Sequence, residues 1–271
     1  HTSGSTGTPK PMQVEKKRMI ASARLTCSFL GLKEGDKALL CMPLGYIAGK
    51  MVVVRSLVPG LELIPIAPCG HPLSGMKESP TFAAMIPMQV YNSLQVPEER
   101  TVLEGIKHLI IGGGAIDDGL ANELKHFPNN VWSTYGMTET LSHIALRRLN
   151  GNNASDWYTP FDQVHIRLSE EGTLVIHAPK VCAEELTTND IAEINEKGKF
   201  RILGRKDNVI NSGGIKIQIE QVEALLKPHL STPFLITSTS DAKFGEAVVL
   251  LYEKGNEEEL QALCKAALPP Y

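Results

Sequence analysis

Apolar positions follow two rhythms along the first half of the chain. Met19, Ile20, Ala23, Cys27 and Leu30 recur at helical spacing, and Gly31 stands where a left-handed C′ residue would end the helix. Ala38–Met42 is a short apolar run that predicts a buried strand. A second helix is expected over Lys50–Leu57, apolar except for Lys50, Arg55 and Ser56. Pro59-Gly60 ends it, and Leu61–Ile66 predicts the next strand. Thr81–Ile86 predicts another strand, with Pro87 opening a helix through Leu94. Lys107–Ile111 leads into Gly112-Gly113-Gly114-Ala115, and Ile116, Leu120, Leu124 and Phe127 mark an amphipathic helix. Val131–Thr134 is the next strand and ends in the loop Tyr135–Thr140. Strands alternating with helices imply parallel βαβ units, whose ligand sites lie beyond the strand C-termini.

From about Gln163 the rhythm becomes that of antiparallel hairpins. Val164, Ile166 and Leu168 alternate, Glu170-Glu171-Gly172 turns, and Leu174 and Ile176 return. Ile191–Ile194 and Phe200–Leu203 pair through Lys197-Gly198. After Gly204-Arg205-Lys206-Asp207 comes a small α/β segment, with strands Phe234–Thr237 and Val248–Tyr252 and helices Glu220–Leu226 and Glu257–Ala267. The expected class is α/β. Residues 1–205 form a large βαβ-type domain with an antiparallel β subdomain, and residues 206–271 form a small mobile α+β domain. The first is expected to be incomplete at its start and the second at its end.

Composition narrows the class. With 271 residues the chain can bury a substantial core, and 42% apolar with 21% charged residues is ordinary for a globular protein. A net charge of −3 and the absence of a basic run argue against a nucleic-acid partner. No apolar run approaches the ~20 residues of a membrane span. Five scattered cysteines without a C-x-x-C pair suit a reduced, cytoplasmic compartment. The eight histidines show no metal spacing, and His108, His126 and His229 are expected at surfaces. No G-x-S-x-G elbow supports a serine triad. An oligomer is left open.

The richest chemistry stands at the start: Thr2-Ser3-Gly4-Ser5-Thr6-Gly7-Thr8-Pro9-Lys10. Glycines let successive N–H groups point into one anion nest, hydroxyls add donors, and Lys10 adds a point charge. By composition the run also reads as a flexible linker. Pro9 and Pro11 around the lysine exclude the ordinary Walker loop. Alone, Tyr135-Gly136-Met137-Thr138-Glu139 would be a strand end with a solvated glutamate, and Thr188-Asn189-Asp190 turn chemistry.

Taken in order, these stretches resemble the adenylate-forming superfamily of acyl- and aryl-CoA ligases, luciferases and peptide-synthetase adenylation domains. Thr2–Lys10 resembles its phosphate loop, with Pro11 replacing the glycine after the lysine. Gly112–Ala115 resembles its G-G-A segment, Tyr135–Glu139 its Y-G-x-T-E block, Thr188–Asp190 its T-G-D, and Gly204–Asp207 its G-R-x-D. Asn189 replaces glycine, Asn208 stands where a second aspartate is common, and Ile219 and Gln221 depart from P-x-E-[IV]-E.

The resemblance implies ATP, Mg²⁺ and coenzyme A as the small molecules used with a carboxylic acid substrate. Thr2, Ser3, Gly4, Ser5, Thr6 and Gly7 would cradle phosphates. Lys10, Thr138 and Glu139 would be catalytic, with Glu139 also the metal ligand. Gly113, Gly114, Tyr135 and Gly136 would line adenine, Asp190 and Arg205 would hold ribose, and Asp207 would be the hinge. The family's last lysine is expected beyond Tyr271. The compact layout is most similar to the o-succinylbenzoate–CoA ligases of menaquinone biosynthesis, whose substrate carries a second carboxylate. Arg55 or Lys50 would meet that charge, with Tyr46 nearby. The plainer expectation is that Lys50 is solvated and Arg55 pairs with a structural acid. Another acyl- or aryl-CoA ligase, or a non-catalytic nucleotide-binding relative, would share these motifs.

Overall fold

A computed structural model describes residues 13–230 and 232–269. The first helix, α1, runs Lys16–Leu30 and closes on Gly31 at φ 66°, the left-handed cap that the spacing predicts. It is followed by β1 (Lys37–Leu40), α2 (Ile47–Leu57), β2 (Glu62–Pro65), β3 (Phe82–Met85) and α3 (Pro87–Leu94). Next come α4 (Pro97–Gly105), β4 (His108–Ile111), α5 (Asp118–Leu124), β5 (Asn130–Gly136), β6 (His143–Arg148) and β7 (Thr159–Pro160). These strands form one sheet in the order β2-β1-β3-β4-β5-β6-β7. The first five are parallel, and β6 and β7 are antiparallel additions.

The register explains the apolar runs. Leu39 faces Ala83, Ala83 faces Leu109, and Leu109 faces Val131, a row across the sheet with no exposed surface. Val90, Leu94, Val102, Leu103, Leu120 and Leu124 pack on it from α3, α4 and α5. A parallel sheet covered by helices buries its central strands, which therefore read as continuous apolar segments.

The remaining elements are β8 (His165–Leu168), β9 (Thr173–His177), β10 (Leu186–Ile194), β11 (Phe200–Arg205), β12 (Val209–Ser212) and β13 (Ile215–Gln218). Then come α6 (Ile219–Leu226), β14 (Phe234–Asp241), β15 (Gly245–Tyr252) and α7 (Glu257–Ala267). Two four-stranded sheets result, ordered β11-β10-β9-β8 and β13-β12-β15-β14. Ile210, Ile217, Val222, Leu226 and Ile236 make a core between the last sheet and its helices.

The chain divides into two compact units. The first comprises the chain to Ile166, with Ile176–Leu186 and Asn195–Phe200. The second comprises Arg167–Val175, Thr187–Ile194 and the chain from Arg201 onward.

Several expectations are corrected. Antiparallel pairing begins at β6, well before Gln163, because the chain turns back directly after Gly136. Tyr135 and Gly136 belong to the end of β5 and not to the following loop. The helix α2 starts at Ile47, three residues before Lys50. His108 is buried in β4, and burial with the nearby Lys107 and Arg148 charges lowers its pKa.

Candidate functional site

In the first unit, β4 and β5 end side by side with the glycine run and the Tyr135 segment at their C-terminal ends. Gly113 sits at φ 80°, a conformation side chains rarely adopt. Tyr135 and Gly136 flank an irregularity in the β5–β6 register. A Cβ on Gly136 would lie 2.3 Å from the Ser142 carbonyl oxygen and 2.4 Å from His143 Cα, so the close return of the backbone requires glycine.

The turn between β5 and β6 is tied to itself. Thr140 Oγ1 accepts from the Met137 N–H and stands 2.7 Å from the Ser142 carbonyl oxygen as donor. Leu141 holds φ 65° with its side chain buried, a left-handed residue costing roughly 1–2 kcal/mol. Thr138 and Glu139 are half-buried on this turn, and Glu139 has no ion pair among the described residues.

Tyr135 joins a cluster of rings. It meets Phe200 edge-on at 5.0 Å and Tyr158 at 5.8 Å, while Tyr158 stacks on Phe200 at 5.4 Å. Tyr158 is fixed by a hydrogen bond between its hydroxyl and Ser133 Oγ, 2.8 Å, and by paired backbone bonds with Phe200.

Arg55 projects from α2 into the interior with 2% of its surface exposed. Its Nη2 donates to Ser142 Oγ at 2.5 Å, on the turn just described. Nε is buried without an acceptor, and no carboxylate pairs with the guanidinium among the described residues. Burial pulls its pKa down to about 10, opposed by the Cys27 thiol. The structural acid expected as its partner is therefore not found among the described residues. Lys50 and Tyr46 are exposed.

In the second unit the structure brings together Asp190, Arg205 and Asp207. Asp190 begins where Thr188 Oγ1 accepts from its N–H, and that hydroxyl donates to the Leu174 carbonyl. Arg205 Nη1 lies 3.5 Å from Asp190 Oδ1, while Nε and Nη2 each donate to Asp207 at 2.8 Å. That fork holds the Asp207 carboxyl below the usual range. Gln218 and Glu220 secure the Arg205 backbone from α6 and its approach.

Thr2, Ser3, Gly4, Ser5, Thr6, Gly7 and Lys10 lie outside the described residues. Among those described, no group of three or more His, Cys, Asp or Glu is arranged for a metal. Sequence reasoning missed Ser142, His143, Tyr158 and Phe200. Only the proximity of Ser142 and His143 to the Y-G-x-T-E block signals the first two.

A family model for AMP-binding enzymes matches residues 1–181. The chain belongs to the AMP-binding enzyme family. Among AMP-binding relatives, the 2-succinylbenzoate–CoA ligase of Bacillus cereus is 25% identical over 100% of this chain and 63% of its own length. That of Salmonella typhimurium is 28% identical over 94% of this chain and 58% of its own length. The chain thus spans less than two-thirds of these ligases. A solved acyl-CoA synthetase (AMP-forming)/AMP-acid ligase II-like protein of Dyadobacter fermentans is 34% identical, with a TM-score of 0.74 over 100% of this chain and 80% of that one. The o-succinylbenzoate coenzyme A synthetase of Bacillus subtilis, in complex with ATP and magnesium, shares the fold at TM-score 0.78 and 23% identity, over 100% of this chain and 63% of its own.

Proposed function

We propose that the chain is the nucleotide- and acid-binding part of an AMP-forming acid–thiol ligase that turns o-succinylbenzoate into its coenzyme A thioester. In the first half-reaction a substrate carboxylate oxygen attacks the ATP α-phosphorus, the bond to the bridging oxygen of pyrophosphate breaks, and an acyl-adenylate forms. In the second, the coenzyme A thiolate attacks the acyl carbon and AMP leaves.

Each group has a task set by its chemistry. Residues Thr2–Gly7 and Lys10 hold phosphate charge, and Thr138 donates to the α-phosphate. Tyr135, braced by two rings, offers a face to adenine, beside the Gly113 and Gly114 backbone. Asp190 accepts from ribose hydroxyls and Arg205 supports it. Glu139, a half-buried carboxylate without an ion pair among the described residues, fits Mg²⁺, which takes few protein carboxylates alongside phosphate oxygens. That ion would neutralise charge on the phosphates being separated. Asp207 is the hinge between residues 1–205 and 206–271. A cytoplasmic setting accords with the five free cysteines.

The observation that carries the choice of acid is Arg55. A buried guanidinium without a carboxylate partner is costly, and a second carboxylate on the substrate would satisfy the unused Nε. Its hydrogen bond to Ser142 ties it to the turn that carries Glu139, linking acid recognition to the phosphate end.

The test is pyrophosphate release by the complete protein with o-succinylbenzoate and with benzoate. Arg55→Leu should raise KM for the dicarboxylate much more than for benzoate, since losing a partly dry charge pair costs on the order of 2–4 kcal/mol. An unchanged preference between the two acids would remove Arg55 from the acid site, and Lys50 would be tested next.

A further inference from the structure

Arg55 is the head of a line of hydrogen bonds whose direction can be worked out atom by atom. A guanidinium only donates, so Ser142 Oγ accepts from Nη2 at 2.5 Å. The Ser142 hydroxyl hydrogen is then available for His143 Nδ1, 3.2 Å away. On the other side of the ring, Nε2 lies 3.0 Å from Thr26 Oγ1. The Thr26 hydroxyl donates back along α1 to the Ser22 carbonyl oxygen at 3.3 Å, so it accepts from His143. Only the neutral Nε2–H tautomer uses every donor and acceptor. Burial and the Arg55 charge both disfavour the imidazolium, which agrees with that assignment.

We propose that His143 is a positioning residue for acid selection: through Ser142 it fixes the Arg55 guanidinium, leaving Nε for the anion. This rests on the reading of Arg55 as the acid's cation. In the line Arg55→Ser142→His143→Thr26→Ser22, each hydroxyl and the ring accept one hydrogen and pass on another. Thr26 anchors the far end on a helix carbonyl. With His143 gone, Ser142 loses its acceptor, its hydroxyl turns freely, and Nη2 loses a directed partner.

The test uses the complete protein with o-succinylbenzoate and benzoate as probes. His143→Gln keeps the line, because an amide oxygen accepts from Ser142 and an amide N–H donates to Thr26. His143→Leu breaks it. His143→Leu should raise KM for o-succinylbenzoate about tenfold with kcat nearly unchanged, the loss expected when a directed bond to a charged group is weakened. KM for benzoate should not move, and His143→Gln should restore the wild-type value. Equal effects on both acids, or His143→Gln as impaired as His143→Leu, would overturn the proposal.

A second readout needs no substrate. The ring nitrogen NMR shifts of His143 at about pH 7 should report Nε2–H with Nδ1 unprotonated. The opposite tautomer, or an imidazolium, would overturn the direction of the line. If Arg55→Leu leaves acid preference unchanged while the Nε2–H tautomer is observed, the acid-site reading fails and the hydrogen-bond line itself stands.

Discussion

At the scale of single residues, the turn after β5 is where backbone and chemistry constrain each other most. Gly136→Ala would push a methyl group into the Ser142 carbonyl and His143 Cα, both backbone atoms that cannot swing aside. A cost of about 1–3 kcal/mol is expected, read as a lower denaturant midpoint with an unchanged slope. A midpoint equal to wild type would mean that the β5–β6 return relaxes freely. The motif residues here were legible in the sequence because tyrosine, threonine and glutamate announce their chemistry by type. Arg55, Ser142 and His143 were not legible as a set. Arg55 and Ser142 are 87 residues apart in sequence, and only tertiary packing makes them partners. His108 misled for a related reason: a histidine after Lys107 looks exposed until the parallel ladder places it inside.

Among elements, β10 and β11 hold Asp190 and Arg205 on neighbouring strands. ATP with Mg²⁺ should raise Tm, and Asp190→Ala should shrink that rise by removing charged hydrogen bonds worth roughly 1.5–3 kcal/mol. An equal rise in the variant, or unchanged ATP affinity by calorimetry, would dismiss the aspartate as a ribose ligand. The sequence showed elements with a clear period and a sharp boundary. Pro87 opened α3 and Gly31 closed α1 at the expected places. It did not show α4, although Pro97 with Glu98 and Glu99 is a proper helix start, because its apolar face is only Val102 and Leu103. Nor did it show β12 and β13, four residues each around Gly213-Gly214, too short for alternation to stand out. The strand β6 escaped because His143–Arg148 mixes buried apolar positions with arginines whose guanidinium groups lie over Trp132 and Tyr158.

For the whole molecule, two buried histidines set a limit on acid stability. His108 and His143 both have folded pKa values below the ordinary value near 6.5. Below about pH 6.5 the unfolded chain therefore binds protons that the folded chain refuses, and stability falls as pH falls. Each histidine contributes at most about 1.4 kcal/mol per pH unit. Denaturation of the wild type at about pH 7 and pH 5.5 should show this loss, and His108→Gln with His143→Gln should flatten it. A slope unchanged in the double variant would assign the loss to other groups. The division of the chain carries a different consequence, one of timing. Strands in Arg167–Val175 and Thr187–Ile194 group with the chain from Arg201 onward, while the segments between them return to the first unit. As the polypeptide leaves the ribosome, neither unit is finished when the other begins. The β12–β13 hairpin meets its neighbour β15 through Ser212 and Gly245 and through Asn211 and Glu246, across intervening chain that must emerge first. An isolated two-stranded hairpin is marginal in water, so these strand edges stay open until β15 has emerged to pair with them.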